Sequence, residues 1–157
     1  MRGKGIFLAV AALALLVAAT APAQQGPVEY MDQALENALA KMKAIQDIDR
    51  VGFTRNHFGL LGGLFEKGQS MTQEITLSEG VQYVFLAGGD PDVIDINIYL
   101  RDSTGAVIAK DDLPDVNPIV VYTPPATGRY RIELKLQDSQ ANRDAFCVLL
   151  LLKRVGT

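Results

Sequence analysis

The chain has one cysteine, one histidine and no tryptophan in 157 residues, and each scarcity excludes something. A single cysteine, Cys147, rules out an internal disulfide, although an exported protein could form one. It sits in an apolar run, as a small core residue does. A single histidine, His57, cannot supply the cluster of imidazoles that many zinc sites use. Any Ser-His-Asp arrangement would have to combine His57 with Ser70, Ser78, Ser103 or Ser139, and none of these lies in a G-x-S-x-G turn. His57 itself falls in a connector, so it is read as capping or lining that segment. The glycines at 59, 62 and 63 lack the spacing and the strand-to-helix context of a phosphate loop. No enzymatic activity is expected.

The N-terminus reads as an export signal. Arg2 and Lys4 precede an apolar run from Ile6 to Ala19, which is short for a membrane span, and Thr20-Ala21-Pro22-Ala23 supplies small residues for cleavage after Ala23. A mature protein in the periplasm or medium, with no stable membrane insertion, is expected. Losing Arg2 and Lys4 leaves 13 basic against 18 acidic side chains, a formal charge of −5. That mildly acidic balance argues against nucleic acid and anionic membranes as partners.

Two kinds of periodicity follow. In residues 24–67, Met31, Leu35, Ala38, Met42 and Ile45 recur at spacings of four and three, predicting an amphipathic helix over 28–50 that Gly52 ends. Its apolar stripe must pack on the rest of the chain or on a second copy, so a homo-oligomer through this helix is one expectation. The Gly-rich stretch 53–69 reads as a connector into a first, irregular strand. From 68 to 154 the pattern turns to short alternating strands between Gly, Pro and Asp turns: Ile75 and Leu77; Tyr83 and Phe85 on one face, with Val84 and Leu86 on the other; Ile94 to Leu100; Ile119 to Tyr122; Tyr130 to Leu136; and the apolar run 145–152. About seven such strands predict a mainly β, antiparallel β-sandwich domain.

The strongest strand signal is a hairpin. Ile94, Ile96, Ile98 and Leu100 alternate with Asp95, Asn97, Tyr99 and Arg101, and Ser103-Thr104-Gly105 is the predicted turn, with Gly105 at positive φ. That register sets Leu100 against Ile108 and Asn97 against Asp111. It gathers Asp90, Asp92, Asp95, Asn97, Asp111, Asp112 and Asp115 at the open end. Such acids cost stability unless water or a cation compensates. Calcium takes six to eight oxygens of this kind, so a calcium site is one reading. The other is that aspartates start turns and keep sheet edges soluble. Tyr99, Tyr122 and Arg101 are the candidates for a binding face.

These segments carry a resemblance. Leu77-Ser78-Glu79-Gly80 with Tyr83-Val84-Phe85, then 95–100 with Asp102 and Gly105, then Thr127-Gly128-Arg129-Tyr130, resemble a bacterial pre-peptidase C-terminal domain over residues 68–154. The resemblance implies a jelly-roll-like sandwich of seven to eight strands and an accessory module of exported proteins that binds protein or polysaccharide. Within these 157 residues, the segment before it is read as a helix of about 20 residues, not as a peptidase domain. The alternative expectation is a structural protein that assembles through the N-terminal helix.

Overall fold

The computed structural model describes residues 27–45, 51–53 and 59–154. Residues 1–23, read as an export signal, and His57 lie outside the described residues. Among the described residues a helix, α1 (Pro27–Lys43), precedes nine strands: β1 (Val51–Phe53), β2 (Leu60–Phe65), β3 (Ser70–Leu77), β4 (Tyr83–Gly89), β5 (Val93–Arg101), β6 (Val107–Asp111), β7 (Ile119–Tyr122), β8 (Gly128–Ser139) and β9 (Ala145–Arg154). One sheet runs β2-β9-β4-β7, with β1 extending the β2 edge along the end of β9; the other runs β3-β8-β5-β6. All pairings are antiparallel. Strands β2 to β9 follow the order of a jelly roll, two four-stranded sheets face to face.

The chain alternates where one face is wet and is continuously apolar where neither is. In β8, Tyr130, Ile132, Leu134 and Leu136 are buried, while Arg129 and Arg131 are exposed. By contrast all seven residues of β4 are buried, and so are Cys147 to Leu152 of β9. Tyr83, Phe85 and Ala87 of β4, with Cys147, Leu149 and Leu151 of β9, meet Ile96, Ile98, Leu100, Ile132 and Leu134 from the opposite sheet. Val84, Leu86, Val148, Leu150 and Leu152 point the other way and pack against Ala34 and Ala38, joined by Leu35, Leu39 and Met42. Leaving such side chains in water would cost about 1.5–3 kcal/mol each, which holds the helix to this face. Within the chain, the helical stripe packs on the sandwich.

Gly88 sets how closely α1 can approach. A Cβ there would lie 2.5 Å from the backbone N of Ala38 and 2.6 Å from the backbone O of Ala34, so only glycine permits this contact. Asn37 Nδ2 donates to Gly89 O nearby (2.7 Å). The helix has Glu29 in its first turn and Lys41 and Lys43 in its last, which suits its dipole.

Four expectations need correction. The helix ends at Lys43, and Gly52, read as its stop, lies in β1. Strands β1 and β2, assigned to the connector, belong to the sandwich, and β2 keeps an unbroken six-residue register with β9; its glycines exclude a helix and not a strand. Ile94 is 47% exposed and Val93 is buried instead, because the β5–β8 register shifts around Asp95. Finally, the β5–β6 turn is as predicted, with Asp102 N donating to Ala106 O (3.0 Å) and Gly105 at φ +90°. A bulge then places Leu100 against Ala109 and Asp111 against Ile98, not Asn97.

Candidate functional site

The seven candidate ligands at the open end of the hairpin divide by what already holds them. Asp90 is only 2% exposed. Its Oδ1 accepts from Asp92 N (2.9 Å) and its Oδ2 from Phe146 N (2.7 Å), tying the end of β4 to the start of β9. Burial raises its pKa, partly offset by those N–H donors. Asp92 faces Arg143 Nη1 (3.5 Å). Asp111 accepts from Leu113 N (3.3 Å) and from Ile119 N (2.9 Å), joining the end of β6 to the start of β7 in the other sheet. Asp112 holds Lys110 Nζ (2.5 Å), and Asp115 Oδ1 accepts from Asn117 N (2.7 Å). These are the turn-starting and edge-capping roles of aspartate.

Asp95 is the crowded one. It stands opposite Asp138 in the β5–β8 ladder. Its pKa is raised, first by burial and then by the charge of Asp115, with Asp138 and Asp112 adding to it. Asn97 is 4% exposed. With its amide oxygen accepting from Tyr99 Oη (3.2 Å), its nitrogen donates to Asp95 Oδ1 (3.3 Å) and to Ile96 O (3.2 Å), which satisfies both ends of the amide. The fold therefore brings Asp95, Asn97 and Asp115 together, with Asp112 near, and commits Asp90, Asp92 and Asp111 elsewhere. Among the described residues, no group of three or more His, Cys, Asp or Glu side chains is arranged to hold a metal ion.

Among the described residues, the candidate nucleophiles lie in separate elements. Cys147 is buried, and desolvation, followed by the nearby charge of Asp90, pushes its thiol up to about 12, so it stays neutral. Ser70 opens β3, Ser78 and Ser103 sit in turns, and Ser139 is buried at the end of β8.

The outer face of the β3-β8-β5-β6 sheet is a different surface. No described helix packs on it, and it carries cross-strand rows of side chains. One row runs Thr72, Glu133, Tyr99 and Lys110; the next runs Glu74, Arg131, Arg101 and Val107. Arg101 sends Nε (3.1 Å) and Nη2 (2.9 Å) to Glu133 Oε2 and Nη1 to Gly105 O (3.3 Å). Its guanidinium carbon lies 5.8 Å from the centre of the Tyr99 ring, a cation–π contact. Arg131 pairs more loosely with Glu74 (3.7 Å). A shallow groove of about 380 Å³ runs beside them, lined by Tyr99, Val107, Ile108, Ala109 and Lys110. Tyr99 and Arg101 are thus together, as the alternation of β5 implied. Tyr122 is not with them: it lies in the opposite sheet, edge-on to Tyr130 at 5.9 Å. Glu133, Glu74 and Arg131 were missed, since only the register shows which β3 and β8 residues flank β5.

Of the residues that carried the family resemblance, 83–85 and 95–100 lie within β4 and β5, and Ser78, Glu79, Gly80, Thr127 and Tyr130 are turn and corner residues. Ser78 N donates to Tyr83 Oη (3.0 Å), Glu79 N to Thr127 Oγ1 (2.9 Å), and Tyr130 Oη to Ala126 O (3.0 Å), the last resembling a tyrosine corner. Gly80 takes φ +72°. No family model matches the chain, and no curated protein matches it.

Proposed function

We propose that the chain is an exported, non-catalytic binding module, an accessory domain of the pre-peptidase C-terminal kind, whose partner is another protein outside the cytoplasm. The observation that carries this is the Tyr99–Arg101–Glu133 cluster at the centre of the uncovered face. Tyrosine and arginine are the side chains that most often anchor protein–protein contacts, and here Glu133 and Gly105 O fix the arginine in place before any partner arrives. The guanidinium over the Tyr99 ring leaves less of that ring for stacking on a sugar, which favours a protein over a polysaccharide. No described helix is long and apolar enough to cross a membrane.

The test is cross-linking in intact cells, with mass spectrometry of the captured proteins, for wild type and for a Tyr99→Ala/Arg101→Ala variant. Parallel retention is measured on a panel of insoluble polysaccharides. A specific protein partner whose affinity falls about tenfold or more in the variant is expected. Unchanged capture would remove this face from the binding role, and polysaccharide retention abolished by the variant would reassign it to glycans.

A further inference from the structure

The exposed edge strands differ in how they avoid joining other sheets. Strand β6 is five residues long, carries Lys110 and contains a bulge. Strand β7 is four residues long and lies between Pro118 and Pro124. Strand β3 presents exposed Thr72, Gln73 and Glu74. Short length, charge, bulges and flanking proline are the usual protections of a sheet edge. Strand β2, Leu60-Leu61-Gly62-Gly63-Leu64-Phe65, has no charged residue, proline or register break, and Leu60 (48%) and Leu64 (59%) are exposed.

The hydrogen-bond parity shows what this edge offers. On β9, Phe146 O accepts from Asp90 N and Arg154 N donates to Gln82 O, whereas Leu151 N donates to Gly59 O. Even-numbered residues of β9 therefore bond towards β4 and odd-numbered ones towards β2. By the same alternation Leu61, Gly63 and Phe65 bond to β9, and the N–H and C=O groups of Leu60, Gly62 and Leu64 face away from it. Among the described residues no strand pairs with that side. Helix α1 lies over β4 and β9, and Leu60 and Leu64 stay exposed.

These outward groups form a self-complementary set. A two-fold axis just outside Gly62, normal to the sheet and midway between the two strands, would set Gly62 against Gly62 of a second copy and Leu60 against Leu64 of that copy, with the reciprocal pair on the other side. All three would be hydrogen-bonded pairs of an antiparallel ladder. The exposed leucines would meet on one face, with the Gly62 pair between them. We propose that β2 is a self-association edge through which two copies of this chain join their sheets antiparallel about Gly62. An isologous contact of this kind closes after two copies. It would leave the Tyr99–Arg101 face free on both, which doubles the valency of the binding module.

Sedimentation velocity across a concentration series tests this, together with hydrogen exchange at low and high concentration. Wild type is expected to dimerise, with the Leu60, Gly62 and Leu64 amides gaining protection on dimerisation while those of Leu61, Gly63 and Phe65 are protected throughout. Leu60→Lys/Leu64→Lys sets like charges opposite each other in this register and should weaken the dimer about tenfold or more. Leu60→Lys/Leu64→Glu sets opposite charges together and should restore it. Both side chains are exposed, and a melting temperature close to wild type confirms that each variant folds. A monomer at every concentration, a dimer indifferent to both variants, or protection appearing on α1 in place of β2 would overturn the proposal.

Discussion

The two sheets have opposite outer faces. The β2-β9-β4-β7 sheet is apolar on both sides, because one side meets the other sheet and the other meets α1. The β3-β8-β5-β6 sheet is apolar only inward, and its outer side holds the Arg101–Glu133 and Arg131–Glu74 pairs. The same fold layer is thus used twice, once as the middle of a three-layer stack and once as a boundary with water. The helix is therefore a structural part of the sandwich, and the polar face is where a partner has room.

The largest expected effects break the layer common to both. Ile98→Ala truncates a side chain with no exposure, between the sheets. It should cost about 2–5 kcal/mol in denaturant unfolding, and a cost near zero would contradict the packing described. Next comes the helix-backed face. Gly88→Ala puts a Cβ against the backbone of Ala34 and Ala38. It should cost about 1–3 kcal/mol by forcing α1 outward, with faster amide exchange in α1 and little change in β8. Loss of protection spread evenly over both sheets would show instead that the two outer faces are not independent.

The smallest effect is on the polar side. Asp95 has a raised pKa in the folded protein, so its ionisation opposes folding. That penalty is absent below the ordinary carboxylate value of 3.8, grows as pH rises through the folded-state pKa, and is complete above it. Asp95→Asn should therefore be more stable than wild type at neutral pH by about 0.2–1 kcal/mol, the scale of a cross-strand like-charge pair. The difference should close on acidification. Asp138, lowered mainly by its contact with Lys67, has the opposite sign: its contribution is present above 3.8 and is lost as pH falls through its folded-state value. Melting temperatures in millimolar calcium and in chelator should agree. A calcium-dependent rise that Asp95→Asn abolishes would identify a cation shared by Asp95, Asn97 and Asp115.

Much of this contrast was legible in the residues. The alternation of Tyr130 to Leu136 against Arg131, Glu133 and Lys135 marks a one-sided strand, and the unbroken run 145–152 marks a two-sided one. Tyr83 and Phe85 against Val84 and Leu86 gave both faces of β4 correctly. What resisted reading was set by backbone events without a composition signal. The bulge between Leu100 and Arg101 moved Asp111 away from Asn97, and the register shift at Asp95 exchanged Ile94 for Val93. A one-residue shift reverses which face a side chain occupies, so the acidic cluster was drawn larger than the fold makes it. Strand β2 was obscured for another reason: its glycines suppress strand propensity, and only the pairing with β9 overrides it.

The position of β9 also bears on how the molecule comes into being. This strand forms hydrogen-bonded ladders with β1, β2 and β4, and Val51 finds its partner only at Arg154. A chain emerging N-terminus first can form hairpins such as β5–β6 early, but the helix-backed sheet lacks its central strand until residues 145–154 are free. The loop to be closed is then nearly the whole sandwich, and topologies dominated by such distant pairings fold in roughly milliseconds to seconds. Until then Val84 and Leu86 have α1 to lie against but lack Val148, Leu150 and Leu152 beside them, so this layer closes only once β9 has joined it.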